Sequence, residues 1–177
     1  DSAGLFSVVG IREENNKTYT GKVSNLNIYS SSFKGGTVGA VAGINKGEID
    51  NVTTFGNRVN SYNLVSGDEI NNSAPGVTGG ISSAGGITGI NNGTIRNASV
   101  NDAVATSVAN SGTKNSFAGG IAGVNTADAA KIDNSVANSD ITSTEGAHAL
   151  GGVVGINSKN AVVDTVRSLG IVNGTYS

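Results

Sequence analysis

GGITGIN, residues 85–91, is written three more times in this chain of 177 residues: GAVAGIN at 39–45, GGIAGVN at 119–125 and GGVVGIN at 151–157. After a turn of variable length each is followed by a second phrase: EIDNVT at 48–53, TIRNAS at 94–99, KIDNSV at 131–136 and VVDTVR at 162–167. Two phrases in fixed order, recurring at a spacing of roughly thirty to forty-five residues, mark an array in which each copy packs on the next. A fifth, weaker copy precedes the four. Ala3-Gly4-Leu5-Phe6 stands for its first phrase and Val23-Ser24-Asn25-Leu26 for its second, with a polar excursion over Arg12–Lys17 between them.

Within a copy the pattern is that of short strands. In Gly86-Ile87-Thr88-Gly89-Ile90 the branched residues are separated by two small ones, and no window sustains the i, i+3, i+4, i+7 stripe of an amphipathic helix. Glycine at these places would cost a helix about 1 kcal/mol each. Third segments, Val104–Val108 and Asp140–Ser143, are again β-prone and bounded by Asn, Ser and Gly. Two or three strands per copy, joined at Gly/Asn corners, predict an all-β fold: a parallel β-helix (β-solenoid) of about five coils.

Composition agrees. Trp, Met and Cys are absent, so the interior must be built from Val, Ile, Ala and a little Leu, which suit a narrow, regular core. Gly (27) and Asn (23) are over-used, and both tolerate the positive φ of tight corners. In a parallel stack, equivalent residues of successive coils lie about 4.8 Å apart. Ile87, Ile121 and Val153 are then expected to form one interior column, and Ile95, Ile132 and Val163 another. Asn45, Asn91, Asn125 and Asn157 are expected at a left-handed corner after the first strand, sharing amide hydrogen bonds as a structural ladder. Gly43, Gly89, Gly123 and Gly155 leave room for close backbone approach. The largest break in the repeat, 60–83, reads as an insertion and carries the single proline, Pro75.

These phrases, above all Gly-Gly-Ile-Thr-Gly-Ile-Asn-Asn-Gly-Thr-Ile-Arg-Asn-Ala (85–98) and Gly-Gly-Val-Val-Gly-Ile-Asn (151–157), resemble the GLUG repeat. That repeat occurs in long bacterial surface proteins: filamentous-haemagglutinin-like adhesins, autotransporter passengers and non-catalytic parts of IgA-specific metallo-endopeptidases. The resemblance spans about 3–59 and 84–172, with the repeat's leucine replaced by Val or Ile and with Ser7 where later copies have glycine. It implies a right-handed β-helix in an extracellular, cell-surface adhesin, and it brings no catalytic residues with it.

Several function classes are disfavoured by charge and motif. A net charge of −2, with only 14% charged residues, provides no basic face for a row of phosphates, which argues against nucleic acid. Apolar runs such as Leu150–Ile156 are too short and glycine-rich to insert in a membrane. No stretch reads as a signal peptide, and without cysteine there are neither disulfides nor thiolate metal sites. His148 is the single histidine, HExxH and GxSxG are missing, and GGISSAGG (79–86) lacks the Walker lysine. No EF-hand or GGxGxD array is present, so no cofactor and no metal are expected. Paired carboxylates such as cleave polysaccharides could come from Glu13 with Glu14, from Asp68 with Glu69, or from Asp50, Asp133 and Asp164. The last three recur at one repeat position, which favours a structural role. Asn-x-Ser/Thr sequons at Asn16, Asn51, Asn71, Asn92, Asn97 and Asn173 are acceptors only in a glycosylating, secreted setting.

The expectation is a structural and adhesive repeat module, not an enzyme, excised from a longer secreted or surface-anchored protein and flanked there by further repeats. Its partner is expected to be a host-surface protein or glycan. Contacts are expected where the repeat breaks, through Tyr62, Asp68, Glu69, Asn71 and Asn72, because loops and insertions carry function on solenoids. The alternative is a polysaccharide-degrading β-helix enzyme.

Overall fold

The computed structural model describes residues 2–62, 81–107, 115–143 and 149–174. They form strands joined by corners, with no helix among them, and the strands lie in parallel ladders that follow the repeat. The first face pairs Ser2–Ala3, Thr37–Gly39, Ile81–Gly85, Asn115–Gly119 and Ala149–Gly151 in that order. The second pairs Phe6–Val9, Ala42–Asn45, Thr88–Asn91, Ala122–Thr126 and Val154–Ser158. The third and widest runs through Lys22–Tyr29, Glu48–Tyr62, Thr94–Ser107, Lys131–Ala137 and Val162–Ser168, extended by Ser32–Gly35, Asp140–Ser143 and Val172–Gly174. Every partner in these three faces comes from the neighbouring copy, so the architecture is of the β-helix type.

Register turns the sequence repeat into columns. Ile95 pairs with Ile49 on one side and Ile132 on the other, and Val163 continues the line. Ile49, Ile95 and Ile132 are fully buried, as are Val41, Ile87 and Ile121 at the corner between the first two faces. Val23, Val153 and Val163, in the first and last copies, are only partly covered. Even the corners are hydrogen-bonded from copy to copy: Ile87 N donates to Ile121 O at 2.9 Å, and Ile121 N to Val153 O at 2.8 Å. The two faces that meet there approach so closely that a Cβ on Gly89 would lie 2.6 Å from Val38 N. Ser7 stands in the glycine position of the first copy, and its hydroxyl meets that of Ser2 at 2.5 Å.

Two expectations about the corners change. Positive φ is not taken by Asn45, Asn91, Asn125 or Asn157, which are extended strand residues, but by the second-phrase residues Asn25, Asn51, Asn97, Asn134 and Thr165, with φ between 43° and 56°. The reason is the burial pattern. After Ile49 points inward, Asp50 and Asn51 both point outward before Val52 turns in, so the chain must bend at Asn51, and asparagine reaches that conformation at low cost. The first copy also has one corner residue fewer than the second, since Ala3 pairs with Val38 but Phe6 already pairs with Ala42.

The polar excursion at 12–17 is an antiparallel hairpin, Ile11–Glu14 against Lys17–Thr20, whose turn residues Asn15 and Asn16 both have positive φ as a type I′ turn requires. The ends of the stretch 60–83 belong to the frame. Asn60–Tyr62 closes the long strand from Glu48 and Ile81–Ser83 opens the next strand of the first face; residues 63–80 lie outside the described residues.

Candidate functional site

The first-phrase asparagines form a continuous amide line inside the stack. Asn45 Nδ2 donates to Asn91 Oδ1 at 2.8 Å, Asn91 Nδ2 to Asn125 Oδ1 at 2.8 Å, and Asn125 Nδ2 to Asn157 Oδ1 at 2.7 Å. The direction of each amide is set by backbone carbonyls, because the same Nδ2 atoms also face Thr94 O, Lys131 O and Val162 O. Asn45, Asn91 and Asn125 are completely buried. Asn157 is exposed, and its Nδ2 turns instead to Ala161 O at 3.0 Å. In the first copy Val9 occupies the ladder position and ends the line.

A second polar line, buried at Asn57, Asp102 and Ser139, was not expected. It runs down the corner between the two halves of the third face, through Ser31, Asn57, Asp102 and Ser139. Ser31 N donates to Asn57 Oδ1 at 2.8 Å, Asn57 N and Nδ2 donate to Asp102 Oδ1 at 2.9 and 3.0 Å, and Asp102 N donates to Ser139 Oγ at 3.3 Å. A bulge makes room for it: Gly56, at φ +68°, and Asn57 together oppose the single residue Asp102. Burial pushes the Asp102 carboxyl above its ordinary value of 3.8, while the Thr54 hydroxyl and the two Asn57 N–H groups pull it back. Asp102 Oδ2 and Thr54 Oγ1 are both buried, and neither makes a hydrogen bond of good geometry. The signal in the sequence is a polar residue two before the third-segment apolar residue: Asn57 before Val59, Asp102 before Val104, Ser139 before Ile141.

The carboxylates considered for catalysis are dispersed or engaged. Glu13 and Glu14 are consecutive in one hairpin strand, so their side chains leave opposite faces. Asp50 lies in an ion-pair row with Lys22 Nζ at 3.7 Å and Arg96 Nη2 at 3.2 Å; Glu48 Oε1 meets Lys22 Nζ at 3.2 Å and also pairs with Arg96. A hydrogen bond from Asn97, then Arg96 and Lys22, hold the Asp50 carboxyl below its ordinary range. Lys131 Nζ, 2.9 Å from Asp133 Oδ2, does the same for Asp133. Asp164 stacks directly on Asp133. Among the described residues no group of three or more His, Cys, Asp or Glu is placed to hold a metal ion.

Of the residues expected to bind a partner, Tyr62 is half-buried at the end of its strand with Lys34 Nζ 5.2 Å from its ring centre. Asp68, Glu69, Asn71 and Asn72 lie outside the described residues, as does His148. The outward side of the third face offers a feature the sequence reading passed over. Tyr29 and Phe55 pair directly across adjacent strands and are 57% and 53% exposed, side by side on a surface of amides and hydroxyls that includes Asn27, Thr53, Ser99 and Asn101. The line of left-handed asparagines runs parallel to it, Asn51 Nδ2 donating to Asn25 Oδ1 and Asn134 Nδ2 to Asn97 Oδ1, each at 2.6 Å. Comparison with protein-family models, with curated proteins and with solved structures gave no match to this chain.

Proposed function

We propose that this chain is a structural and adhesive repeat module of a secreted or surface-anchored bacterial protein, a right-handed, five-coil β-solenoid of the GLUG-like kind that presents its outward columns to a host-surface glycan or protein. The right hand follows from the strong preference of parallel strand crossovers for that sense. The observation that carries the binding role is the Tyr29–Phe55 pair. Two exposed rings on neighbouring rungs, about 4.8 Å apart by strand spacing, form a flat apolar strip bordered by amide and hydroxyl groups. Such a strip suits the apolar face of a sugar ring while the border meets its hydroxyls. Tyr62 and the segment with Asp68, Glu69, Asn71 and Asn72 remain a second contact region in this reading.

The test is binding of the full chain to an array of host-type glycans and to glycosylated cell surfaces, repeated with Tyr29→Ala/Phe55→Ala. Loss of about ten-fold in affinity with an unchanged melting curve is expected, since each ring contributes on the order of 0.5–1.5 kcal/mol. Equal binding by the double variant would remove this strip from the function, and no binding by the parent chain to any glycan or cell surface would remove the adhesive reading.

A further inference from the structure

The outward side of the third face treats its charges in two ways. Before the corner at Asn57, Lys22 and Arg96 each meet Glu48 and Asp50, and Lys131 meets Asp133. Past the corner, Lys34 and Arg58 are both exposed, and neither has an ion-pair partner among the described residues. The chain as a whole carries −2, so two open cations in one patch reverse its sign locally.

Register brings them together. Arg58, Asn60 and Tyr62 alternate with the buried Val59 and Ser61, so all three leave the same side of their strand, about 7 Å apart. Lys34 stacks on Asn60, between the other two, and its Nζ lies 5.2 Å from the centre of the Tyr62 ring. Arg58 is flanked by small residues, Ser32 in the first copy and the exposed Ala103 in the third. The carboxylate in that column, Asp140, is a further rung away, about 10 Å by strand spacing, and its Oδ1 accepts from Ile171 N at 3.1 Å. Arg58 and Asn60 belong to the second copy and have a described copy on each side, so their surroundings are those of the inner stack.

The chemistry that completes this patch is one carboxylate with hydroxyls beside it. A guanidinium takes a carboxylate in a two-point hydrogen bond, and the Lys34 ammonium adds a point charge next to it. The Asn60 amide and the Ser32 hydroxyl suit ring hydroxyls, and the Tyr62 ring suits the apolar side of a pyranose. A densely sulfated chain would need a row of cations, and the patch has two. We infer that the outward patch of Lys34, Arg58, Asn60 and Tyr62 is a subsite for a carboxylate-bearing sugar, an acidic residue of the glycan. The inference rests on the adhesive reading above and gives it a ligand class.

The experiment measures binding of the immobilised full chain to sialyllactose and to a hyaluronan hexasaccharide, each beside its carboxyl-reduced form. The acidic forms are expected to bind more tightly, and raising sodium chloride from about 50 to about 500 mM should weaken them alone. Arg58→Gln and Lys34→Gln should each weaken the acidic forms about ten-fold and leave the reduced forms unchanged. Arg96→Gln removes the same charge from the paired row and should change neither. Equal binding of acidic and reduced forms overturns the inference while the adhesive reading stands, as does full binding by both patch variants or an equal loss in Arg96→Gln. A glutamate-rich peptide or heparin held as tightly as the acidic sugars gives the patch to a different anion and also overturns it. A chain that binds no glycan, acidic or neutral, removes both readings.

Discussion

Replacing Asn91 by alanine removes the middle of the internal amide line, and the structure sets what that should cost. Asn91 Oδ1 accepts from Asn45 Nδ2 and from Gly93 N, and Asn91 Nδ2 donates to Asn125 Oδ1 and to the carbonyls of Gly93 and Lys131. Asn45 and Asn125 are fully buried, so water cannot replace what they lose. At roughly 1–3 kcal/mol for each buried group left short of a partner, and two such groups, Asn91→Ala should destabilise by about 3 kcal/mol. Asn157 gives the internal control. It is exposed and has one ladder neighbour among the described residues, so Asn157→Ala should cost about 1 kcal/mol or less. Asn91→Asp is the sharper probe, since it changes no volume but turns Nδ2 into an oxygen facing three acceptors at 2.8, 3.1 and 3.3 Å. It should be at least as damaging as alanine at neutral pH. Urea titration followed by far-ultraviolet circular dichroism measures all three. Equal costs at positions 91 and 157, or a tolerated Asn91→Asp, would refute the idea that the ladder is a cohesive element of the stack.

Thr165 holds φ 50°, where the other four copies have asparagine, and a β-branched residue is strained there; Thr165→Asn should raise stability by about 1 kcal/mol, read as a higher melting temperature, and a lower one would count against the strain. Asp102→Asn keeps the acceptor for Asn57 and places a donor at the buried Oδ2 site, toward Thr54. Because the folded carboxyl has a raised pKa, ionising it costs stability, and that cost enters as pH rises above the ordinary 3.8 and through the raised value. The gain from Asp102→Asn should therefore be about 1–3 kcal/mol at pH 7 and vanish below pH 3.8, whereas a pH-independent effect would place the cause elsewhere. Asp50 and Asp133 work the other way: their carboxyls are held low, so their contribution is present above 3.8 and fades as pH falls through the lowered values. Gly89→Ala brings a Cβ to 2.6 Å from Val38 N and 2.7 Å from Thr37 Cγ2, forcing the first two faces apart; a loss of about 3 kcal/mol in urea denaturation is expected, and an unchanged midpoint would show that the faces can separate freely.

What the sequence made legible follows from which columns repeat the same residue. Ile87 over Ile121 and Ile95 over Ile132 could be aligned by eye, and so could the four asparagines, because stacking in register rewards identity. The corner line was hidden because its members, Ser31, Asn57, Asp102 and Ser139, are chemically different and sit at unequal distances from the phrases. Which asparagine takes positive φ is not legible, because both phrases contain one and only burial separates them. Asn45 is sealed inside with its amide satisfied, while Asn51 is outside at the bend. The hairpin at 11–20 carried a readable signal in Asn15-Asn16, two residues that accept positive φ, between Ile11–Glu14 and Lys17–Thr20. No motif links Tyr29 and Phe55; they become neighbours only through the register that pairs the strand of Asn25 with that of Asn51.

The two internal polar lines differ in what they can specify. The asparagine line is generic: each rung donates to the next copy in the same way, so it holds any coil bearing an asparagine at that position and does not distinguish the third copy from the fourth. The corner line is particular. Asp102 Oδ1 accepts from both nitrogens of Asn57, Asp102 N donates to Ser139, and a Gly56–Asn57 bulge on one side matches a single residue on the other. Exchanging two copies would leave the generic line intact and break the particular one, leaving buried donors and a carboxylate without their partners, a cost of several kcal/mol by ordinary magnitudes. Connectivity already sets the order of the copies, each pairing with its neighbour in sequence; the corner line adds a penalty against a slip of one copy relative to the next, because Asn57 and Asp102 would lose their partners. Asp102 is thus both a register element and, when ionised, a cost to stability, whereas the outward columns have no buried partner to satisfy and differ from copy to copy, as Tyr29, Phe55 and Asn101 do.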